Sequence, residues 1–390
     1  MRFYNTPKRE VEEFEPISDK EVTVYTCGPT VYLYQHIGNY TAYIYWDILV
    51  RALEANGYNV KRVMNMTDVG HLVSDEDEGE DKMEKGARLS GKLVWEVAEF
   101  FGDDFLKNFK ALNLREPAKI AKATDYIEAQ INLVKELKRK GYTYELEDGI
   151  YYDTSKFPRY ADFAHLDIEG MKKGARVEFN EGKKNSTDFA VWKFVQEGEQ
   201  HEMQWEAFGR PGYPGWHLEC SSIIRAELGD TIDIHTGGID HIPVHHTNEI
   251  AQSEVVTGKP LANYWLHCNF IMVDGQKISK SLGNVFLFDD LAERGFSHLD
   301  FKMWVLEGNY RSERNFTFEN LEGAKARLLR WRNVAALRHQ GKGGTAEFGA
   351  AMDEVREAVA DNLNTPVALA RVDAAMEGIE KNGAERHDLV

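Results

Sequence analysis

The sequence has few cysteines and no long apolar segment. Its three cysteines, Cys27, Cys220 and Cys268, are too few and too odd in number for a disulfide framework. We therefore expect free thiols in a reducing cytoplasm, where they can bind a metal. No apolar run reaches the roughly 20 residues that a membrane-spanning helix needs, and the start of the chain lacks the apolar core of a secretory signal. These absences predict a cytoplasmic protein with no membrane partner.

Basic residues are also in deficit, with 47 lysines and arginines against 64 acidic residues and a net charge of −17. This balance argues against a non-specific nucleic-acid binder, because attraction to phosphate needs a positive surface. It still allows a local basic face. Lysines and arginines recur between residues 325 and 338, a segment that could contact RNA phosphate or be an ordinary solvated helix face.

At 390 residues, the chain is long enough for two or three domains. A strand at 22–27, a helix over 37–56 and a strand at 60–66 predict a βαβ unit, the building block of a parallel sheet. A lysine-rich helix, a hairpin and a polar segment then follow, and we interpret them as an insertion. The other predicted elements are helices at 126–139, 216–228, 321–338 and 348–359, a hairpin over 144–152, strands at 188–194 and 231–235, and a linker at 341–344.

Two short motifs are typical of phosphate binding. His-Ile-Gly-Asn at 36–39 opens the first helix, where backbone N–H groups and the helix dipole favour an anion. Its glycine lets a nucleotide approach the backbone, and its histidine can donate to phosphate. Lys-Ile-Ser-Lys-Ser at 277–281 lies in a glycine-flanked polar loop, and its lysines can neutralise charge that develops on a triphosphate. Taken singly, the first motif is compatible with ordinary packing and the second with an exposed loop.

Cys27, Cys220, His245 and Glu249 are candidate metal ligands. Two thiolates, an imidazole and a carboxylate suit tetrahedral zinc. His245 and Glu249 are four residues apart, so one turn of helix would point both side chains the same way. Taken singly, the cysteines could simply be buried and the His/Glu pair could lie on the surface. Not all of the crowded histidines His241, His245 and His246 can be ligands, and those that are not would hydrogen-bond around the site.

Several segments in this order resemble the cysteinyl-tRNA synthetases, a family of class I aminoacyl-tRNA synthetases, from residue 1 to about 340. The segments are Cys27-Gly-Pro-Thr-Val-Tyr32, His36-Ile-Gly-Asn39, Asn65-Met-Thr-Asp68, Asp188-Phe-Ala-Val-Trp-Lys193, Gly215-Trp-His-Leu-Glu-Cys-Ser221, Asp233-Ile-His-Thr-Gly-Gly238, His245-His-Thr-Asn-Glu249 and Lys277-Ile-Ser-Lys-Ser281. The resemblance implies an α/β fold, with a Rossmann-like catalytic domain split by a connective insertion and followed by an α-helical stem-contact and bundle region.

The resemblance also implies domain boundaries. The expected parts are the first half of the catalytic domain at 1–115, the insertion at 116–185, the second half with the lysine loop at 186–285, a stem-contact region at 286–340 and a partial helical bundle at 341–390. The family's anticodon-reading domain is expected to be shortened or absent.

The implied activity has two steps: L-cysteine and ATP give cysteinyl-adenylate, and the cysteinyl group then passes to the 3′ end of tRNA(Cys). The implied cofactor is one Zn²⁺ per chain, held by Cys27, Cys220, His245 and Glu249, with Mg-ATP as substrate. The sequence leaves the oligomeric state open, and we expect a monomer. The implied catalytic residues are His36, Asn39, Lys277 and Lys280; ATP would be bound by His36, Gly38, Asn39, Gly237, Gly238, Asp240 and Lys280, and cysteine by Gly28, Thr67, Trp216 and His235. Zinc would select the substrate thiolate, because a serine hydroxyl is a poor ligand.

Two departures from the family pattern concern the motifs. Asn39 stands where the family has a second histidine, and it keeps a hydrogen-bond donor. Ile278 replaces the commoner methionine, an apolar exchange. Two other functions compete with the synthetase: a ligase of mycothiol biosynthesis that joins cysteine to an amino sugar, and an inactive RNA-binding descendant of a synthetase. The retained lysines and histidine disfavour the inactive descendant.

Overall fold

The computed structural model describes residues 1–69, 82–91, 93–166, 182–198, 201–336 and 346–382. The strands are β1 Arg2–Asn5, β2 Glu10–Glu13, β3 Glu21–Thr26, β4 Asn59–Met66, β5 Lys119–Lys122, β6 Thr143–Leu146, β7 Gly149–Tyr152, β8 Phe189–Phe194, β9 Trp205–Ala207, β10 Arg210–Pro214, β11 Ile232–Gly238, β12 Ala262–Cys268, β13 Ile271–Val273, β14 Gln276–Lys277 and β15 Arg314–Phe316. The helices are α1 Ile37–Ala55, α2 Lys82–Ser90, α3 Val94–Ala111, α4 Ile127–Arg139, α5 Trp216–Glu227, α6 Thr247–Thr257, α7 Phe288–Glu293, α8 His298–Leu306, α9 Phe318–Ala336, α10 Ala346–Ala360 and α11 Thr365–Asn382.

A five-stranded parallel sheet, in the order β12-β11-β3-β4-β5, forms the centre of the fold. Its central strands are buried along most of their length, as expected for a sheet covered on both faces. The chain leaves β3 towards β4 on one side and later enters β11 on the other. The strand order therefore reverses between β3 and β11, and ligands of open α/β sheets bind at the carboxyl ends of such strands.

Helix α1 begins directly after the loop that follows β3. The Asn39 side chain accepts a hydrogen bond from the backbone N–H of His36 at 3.0 Å and so caps the helix start. The helix is buried along most of its length, and it ends at Ala55, before the capping residue Asn56 and Gly57, whose φ is +88°. The predicted βαβ unit is thus present as β3, α1 and β4.

A second, antiparallel sheet has the order β6-β7-β8-β10-β9. The predicted hairpin forms β6 and β7, and the predicted strand at 188–194 joins this sheet as β8 rather than the parallel sheet. The rings of Tyr152 and Phe189 stack across the β7–β8 pair at 5.1 Å. This sheet contains strands from both sides of the domain boundary predicted at residue 185. The boundary itself stays a prediction.

A small sheet in the order β14-β13-β15 carries the lysine loop, and helices follow it. Helix α8 is tied to α1 by a buried ion pair, since Lys302 Nζ lies 3.0 Å from the fully buried carboxylate of Asp47. Helix α9 pairs with α11 through Arg327 and Asp373. The predicted linker at 341–344 lies outside the described residues. Among the helices that the structure describes, none is long and apolar enough to cross a membrane.

Candidate active site

A cavity of about 570 Å³ opens at the carboxyl ends of β3 and β11, where the strand order reverses. Most of the residues predicted to act in the site line it. These lining residues are Cys27, Gly28, His36, Gly38, Asn39, Thr67, Trp216, Cys220, Gly237, Gly238, Asp240, His245 and Lys277. His235 and Glu249 lie beneath the cavity and are fully buried. The side chain of Lys280 lies outside the described part of the structure.

The four predicted metal ligands converge, each from a different element. Cys27 follows β3, Cys220 lies in α5, His245 lies in a π-helical turn at 242–246, and Glu249 lies in the first turn of α6. One ligand atom of each lies within 4.8 Å of the other three. Cys220 Sγ is 3.5 Å from His245 Nε2, which in turn is 2.9 Å from Glu249 Oε1. All four side chains are buried.

The chemistry of this donor set fits a soft divalent cation such as Zn²⁺. Glu249 Oε1 is buried and accepts no hydrogen bond from the described residues, although His245 Nε2 lies beside it. An orphaned carboxylate oxygen facing an imidazole nitrogen and two thiols is the arrangement that a bound cation would satisfy. His217 Nδ1 lies 2.9 Å from His245 Nδ1, and such an outer contact orients a ligand ring and leaves Nε2 for the metal.

A second set of four ligand atoms overlaps the first. Cys27, His235, His246 and Glu249 also bring one ligand atom each within 4.8 Å of one another. His235 Nε2 lies 2.8 Å from Glu249 Oε2, and His246 Nε2 lies 3.3 Å from Cys27 Sγ. From the sequence, His246 was predicted only to hydrogen-bond around the site. Its position directly after His245 was the one signal that it could also lie among the metal ligands.

The thiols and imidazoles differ in charge because of their surroundings. Burial raises the pKa of Cys27 well above its ordinary value. Burial also acts to raise the pKa of Cys220, but the hydrogen bond from the Cys27 thiol and the nearby His245 lower it overall. Burial, together with the neighbouring imidazoles, lowers the pKa of His246 and brings that of His241 to about 4. Of the two thiols in the metal-free cluster, Cys220 therefore loses its proton more readily than Cys27.

A polar network surrounds Thr67, which lines the cavity. Its hydroxyl donates to the Glu219 carboxylate at 2.8 Å and lies 3.1 Å from the Asn65 amide nitrogen. Asn65 Oδ1 accepts from the backbone N–H of Gly28 at 2.7 Å. A Cβ on Gly28 would lie 1.7 Å from the Asn65 carbonyl oxygen, so this close approach requires glycine. Asn65 and Glu219 are buried polar residues that were not predicted as site residues, although both lie in segments that carry the family resemblance.

The two phosphate-type motifs lie next to each other. A Cβ on Gly38 would come within 2.8 Å of Ile278 Cδ1, so the helix start and the lysine loop are in contact there. The backbone N–H of Ile37 also donates to the carbonyl of Phe286, just beyond the loop, at 2.9 Å. At the other edge, Trp216 covers the cluster, with its ring 4.5 Å from that of His245. The cavity therefore joins a phosphate-type edge to a metal-type floor.

Two solved aminoacyl-tRNA synthetases share this fold. A Mycobacterium tuberculosis methionyl-tRNA synthetase in complex with methionyl-adenylate matches with a TM-score of 0.66 at 15% identity, over 93% of this chain and 83% of that one. A LeuRS–tRNA–LeuAMS complex from Agrobacterium radiobacter K84 matches with a TM-score of 0.70 at 12% identity, over 97% and 83%. The fold is that of a class I aminoacyl-tRNA synthetase, as predicted.

The family follows from sequence. The model of the tRNA synthetases class I (C) catalytic domain matches residues 13–326. The cysteine–tRNA ligase of Treponema denticola is 47% identical over 83% of this chain and 66% of its own length, and cysteine–tRNA ligase 1 of Burkholderia lata is 45% identical over 95% and 78%. The chain belongs to the cysteine–tRNA ligase family, which confirms the predicted resemblance. It spans about two thirds to four fifths of the length of these relatives.

Proposed function

We propose that the chain activates L-cysteine with Mg-ATP to cysteinyl-adenylate and transfers the cysteinyl group to the 3′ end of tRNA(Cys). One observation carries this proposal: a single cavity joins both phosphate-type motifs to a buried cluster of two thiols, an imidazole and a carboxylate. The relatives named cysteine–tRNA ligase support the choice of cysteine and tRNA. A cytoplasmic location and the predicted domain boundaries belong to the same proposal.

The phosphate-type edge would hold ATP. The start of α1 presents backbone N–H groups beside His36 and Gly38, where a negative phosphate is favoured. Lys277 in the lysine loop, together with Lys280, would balance charge that develops on the displaced pyrophosphate. Gly237 and Gly238 end β11 and Asp240 follows it on the far side of the cavity, and these residues would hold the adenosine.

The metal-type floor would hold cysteine. Cys27, Cys220, His245 and Glu249 would bind Zn²⁺, which when bound supplies a soft Lewis acid that prefers a thiolate to a hydroxyl. Gly28 and Thr67 line the approach to that floor, and their positions are fixed through Asn65. A site built around one polar group of its substrate rejects an analogue that lacks the group by roughly 10⁴–10⁵-fold.

The walls beside the cluster are aromatic. Trp216 lines the cavity over His245, and the fully buried His235 stacks on Trp265 at 4.5 Å while contacting Glu249. These rings would keep water away from the substrate side chain and hold the Glu249 carboxylate in place. They would act on the amino-acid substrate and not on ATP.

Cysteine-dependent ATP–pyrophosphate exchange by zinc-loaded protein tests the first step, and charging of purified tRNA tests the second. We expect exchange with cysteine and charging of tRNA. Transfer to a glucosamine–inositol acceptor instead of tRNA would indicate the mycothiol-type ligase, and no exchange at all would indicate an inactive descendant. Either result would overturn the proposal.

Two cysteine variants separate the roles within the site. Cys220→Ser should weaken cysteine activation far more than ATP binding, because it changes only the metal-type floor. Cys268→Ser is the matched control, since Cys268 is equally buried and lines the same cavity but is not in the cluster. Equal loss of cysteine and ATP binding in Cys220→Ser, or equal damage in both variants, would contradict this division.

A further inference from the structure

A line of hydrogen bonds runs from the N-terminal hairpin to the metal cluster. Thr6 Oγ1 lies 2.7 Å from His267 Nδ1, and His267 Nε2 lies 2.7 Å from His246 Nδ1. The line ends at His246 Nε2, which is 3.3 Å from Cys27 Sγ. Thr6 is itself held in the β1–β2 turn, because its backbone N–H donates to the carbonyl of Trp265 at 3.0 Å. Thr6 precedes the segment that the family model matches.

When a metal is bound, the chemistry of each atom decides which is the donor and which the acceptor in every hydrogen bond of this line. A metal-bound Cys27 is a thiolate, which accepts hydrogen bonds and cannot donate them. A neutral imidazole has one donor and one acceptor nitrogen, so donor and acceptor alternate along the line. His246 Nε2–H therefore donates to Cys27, and His246 Nδ1 accepts from His267. His267 Nδ1 is then left as an acceptor for the Thr6 hydroxyl.

This order of donors and acceptors fits one of the two overlapping ligand sets. With Cys27 and Cys220 both bound to the cation, a His246 Nε2 that carries a hydrogen has no lone pair for the metal and donates to Cys27 instead. Glu249 Oε1 lies 3.9 Å from His246 Nε2, beyond hydrogen-bond distance, so the thiolate at 3.3 Å is the nearer acceptor. In the other set His246 Nε2 would itself bind the cation, and the Cys220→Ser variant below distinguishes the two sets.

We propose that His246 is a positioning residue, which donates its Nε2–H to metal-bound Cys27, and that Thr6 and His267 fix the tautomer that makes this possible. The inference rests on the metal binding proposed above. Its consequence is that a hydroxyl in the N-terminal hairpin acts on a metal ligand through two imidazoles. Outer partners that orient metal ligands typically change metal affinity by about 10–100-fold when they are lost.

The test compares Thr6→Val, which keeps the shape but removes the hydroxyl, with Thr6→Ser, which keeps the hydroxyl. Thr231→Val is a matched control, because Thr231 makes a hydroxyl hydrogen bond of the same 2.7 Å length, to Pro260, at the opposite end of the parallel sheet. His267→Leu breaks the line at its middle. Zn²⁺ affinity would be measured by competition with a chromophoric chelator, and the thiolate-to-metal absorption band would be recorded with Co²⁺.

We expect Thr6→Val and His267→Leu to lower Zn²⁺ affinity by about 10-fold and to shift the Co²⁺ band to lower energy, because the thiolate loses a hydrogen bond. Thr6→Ser and Thr231→Val should match the wild type. An unchanged affinity and band in both Thr6→Val and His267→Leu would overturn the proposal, as would equal damage from Thr6→Ser. A band whose intensity survives Cys220→Ser would also overturn it, since the metal would then sit in the His235/His246 set. Wild-type protein that takes up no Zn²⁺ would instead refute the proposed function.

Discussion

Replacing Glu249 with glutamine removes one charge from the centre of the cluster while keeping the size of the side chain. Glu249 Oε2 lies 2.8 Å from His235 Nε2, and Oε1 lies 2.9 Å from His245 Nε2. The side chain is fully buried, so solvent screens neither contact. We expect Glu249→Gln to destabilise the metal-free protein, because the imidazoles would then face a neutral amide.

The pKa of Glu249 gives the size of the effect. Burial acts to raise that pKa, but His235 and His245 lower it from 4.5 to about 2. At about 1.4 kcal/mol per pKa unit, the change corresponds to about 3 kcal/mol of stability. Burial likewise acts to lower the pKa of His245, but Glu249 and Cys220 raise it from 6.5 to about 10. The pKa shift of His245 is larger because Cys220 contributes to it as well as Glu249. The pKa shift of Glu249 is therefore the better measure of what Glu249→Gln removes.

The pH dependence of stability follows from the lowered pKa of Glu249 and the raised pKa of His245. A carboxyl whose pKa is lowered on folding adds stability above its unfolded pKa of 4.5, and this is lost as the pH falls through about 2. An imidazole whose pKa is raised adds stability below 6.5, and this is lost as the pH rises through about 10. The free energy of unfolding of the wild type should therefore exceed that of Glu249→Gln by the largest amount between pH 4.5 and 6.5. The difference should shrink below and above this range.

Urea unfolding of metal-free protein, followed by circular dichroism across this pH range, measures the difference. Glu254→Gln is the matched control on the same helix, because Glu254 pairs with Arg159, whose side chain is mostly exposed, and such pairs contribute about 1 kcal/mol or less. A Glu249→Gln protein as stable as the wild type at pH 6, or a difference that grows towards pH 9, would refute this reasoning.

Three further predictions concern other parts of the structure. Lys302→Met should cost about 3 kcal/mol in urea unfolding, because it leaves the buried Asp47 carboxylate short of a partner; an unchanged midpoint would contradict this. Gly28→Ala should cost about 2 kcal/mol and weaken cysteine binding, since its Cβ would collide with Asn65; thermal unfolding and cysteine KM check both. Lys277→Ala should lower the pyrophosphate-exchange rate about 100-fold with little change in cysteine KM, and a large rise in that KM would argue against its role.

Local patterns predicted the elements that position the cavity. The alternating β-branched residues of β3 and the glycine after the end of α1 are short-range signals, and the structure has a βαβ unit with nearly the predicted bounds. The four-residue spacing of His245 and Glu249 likewise predicted that their side chains would meet, and they do so at 2.9 Å.

Long-range pairings could not be predicted in the same way. The strand at 188–194 has an apolar pattern that fits either sheet, and its partner is set by packing against the β6–β7 hairpin. The turn before α6 is π-helical rather than α-helical, and it leaves both His245 and His246 buried beside the cluster. The contact of Thr6 with His267 joins residues 261 positions apart, and no local signal marks it.

The central claim is that the sulfur of substrate cysteine meets a metal held by Cys27, Cys220, His245 and Glu249. The most direct test is the absorption spectrum of Co²⁺-loaded protein titrated with cysteine and with serine. We expect cysteine to strengthen the thiolate-to-metal band and serine to leave it unchanged. A spectrum that does not respond to cysteine, at concentrations that saturate pyrophosphate exchange, would contradict it.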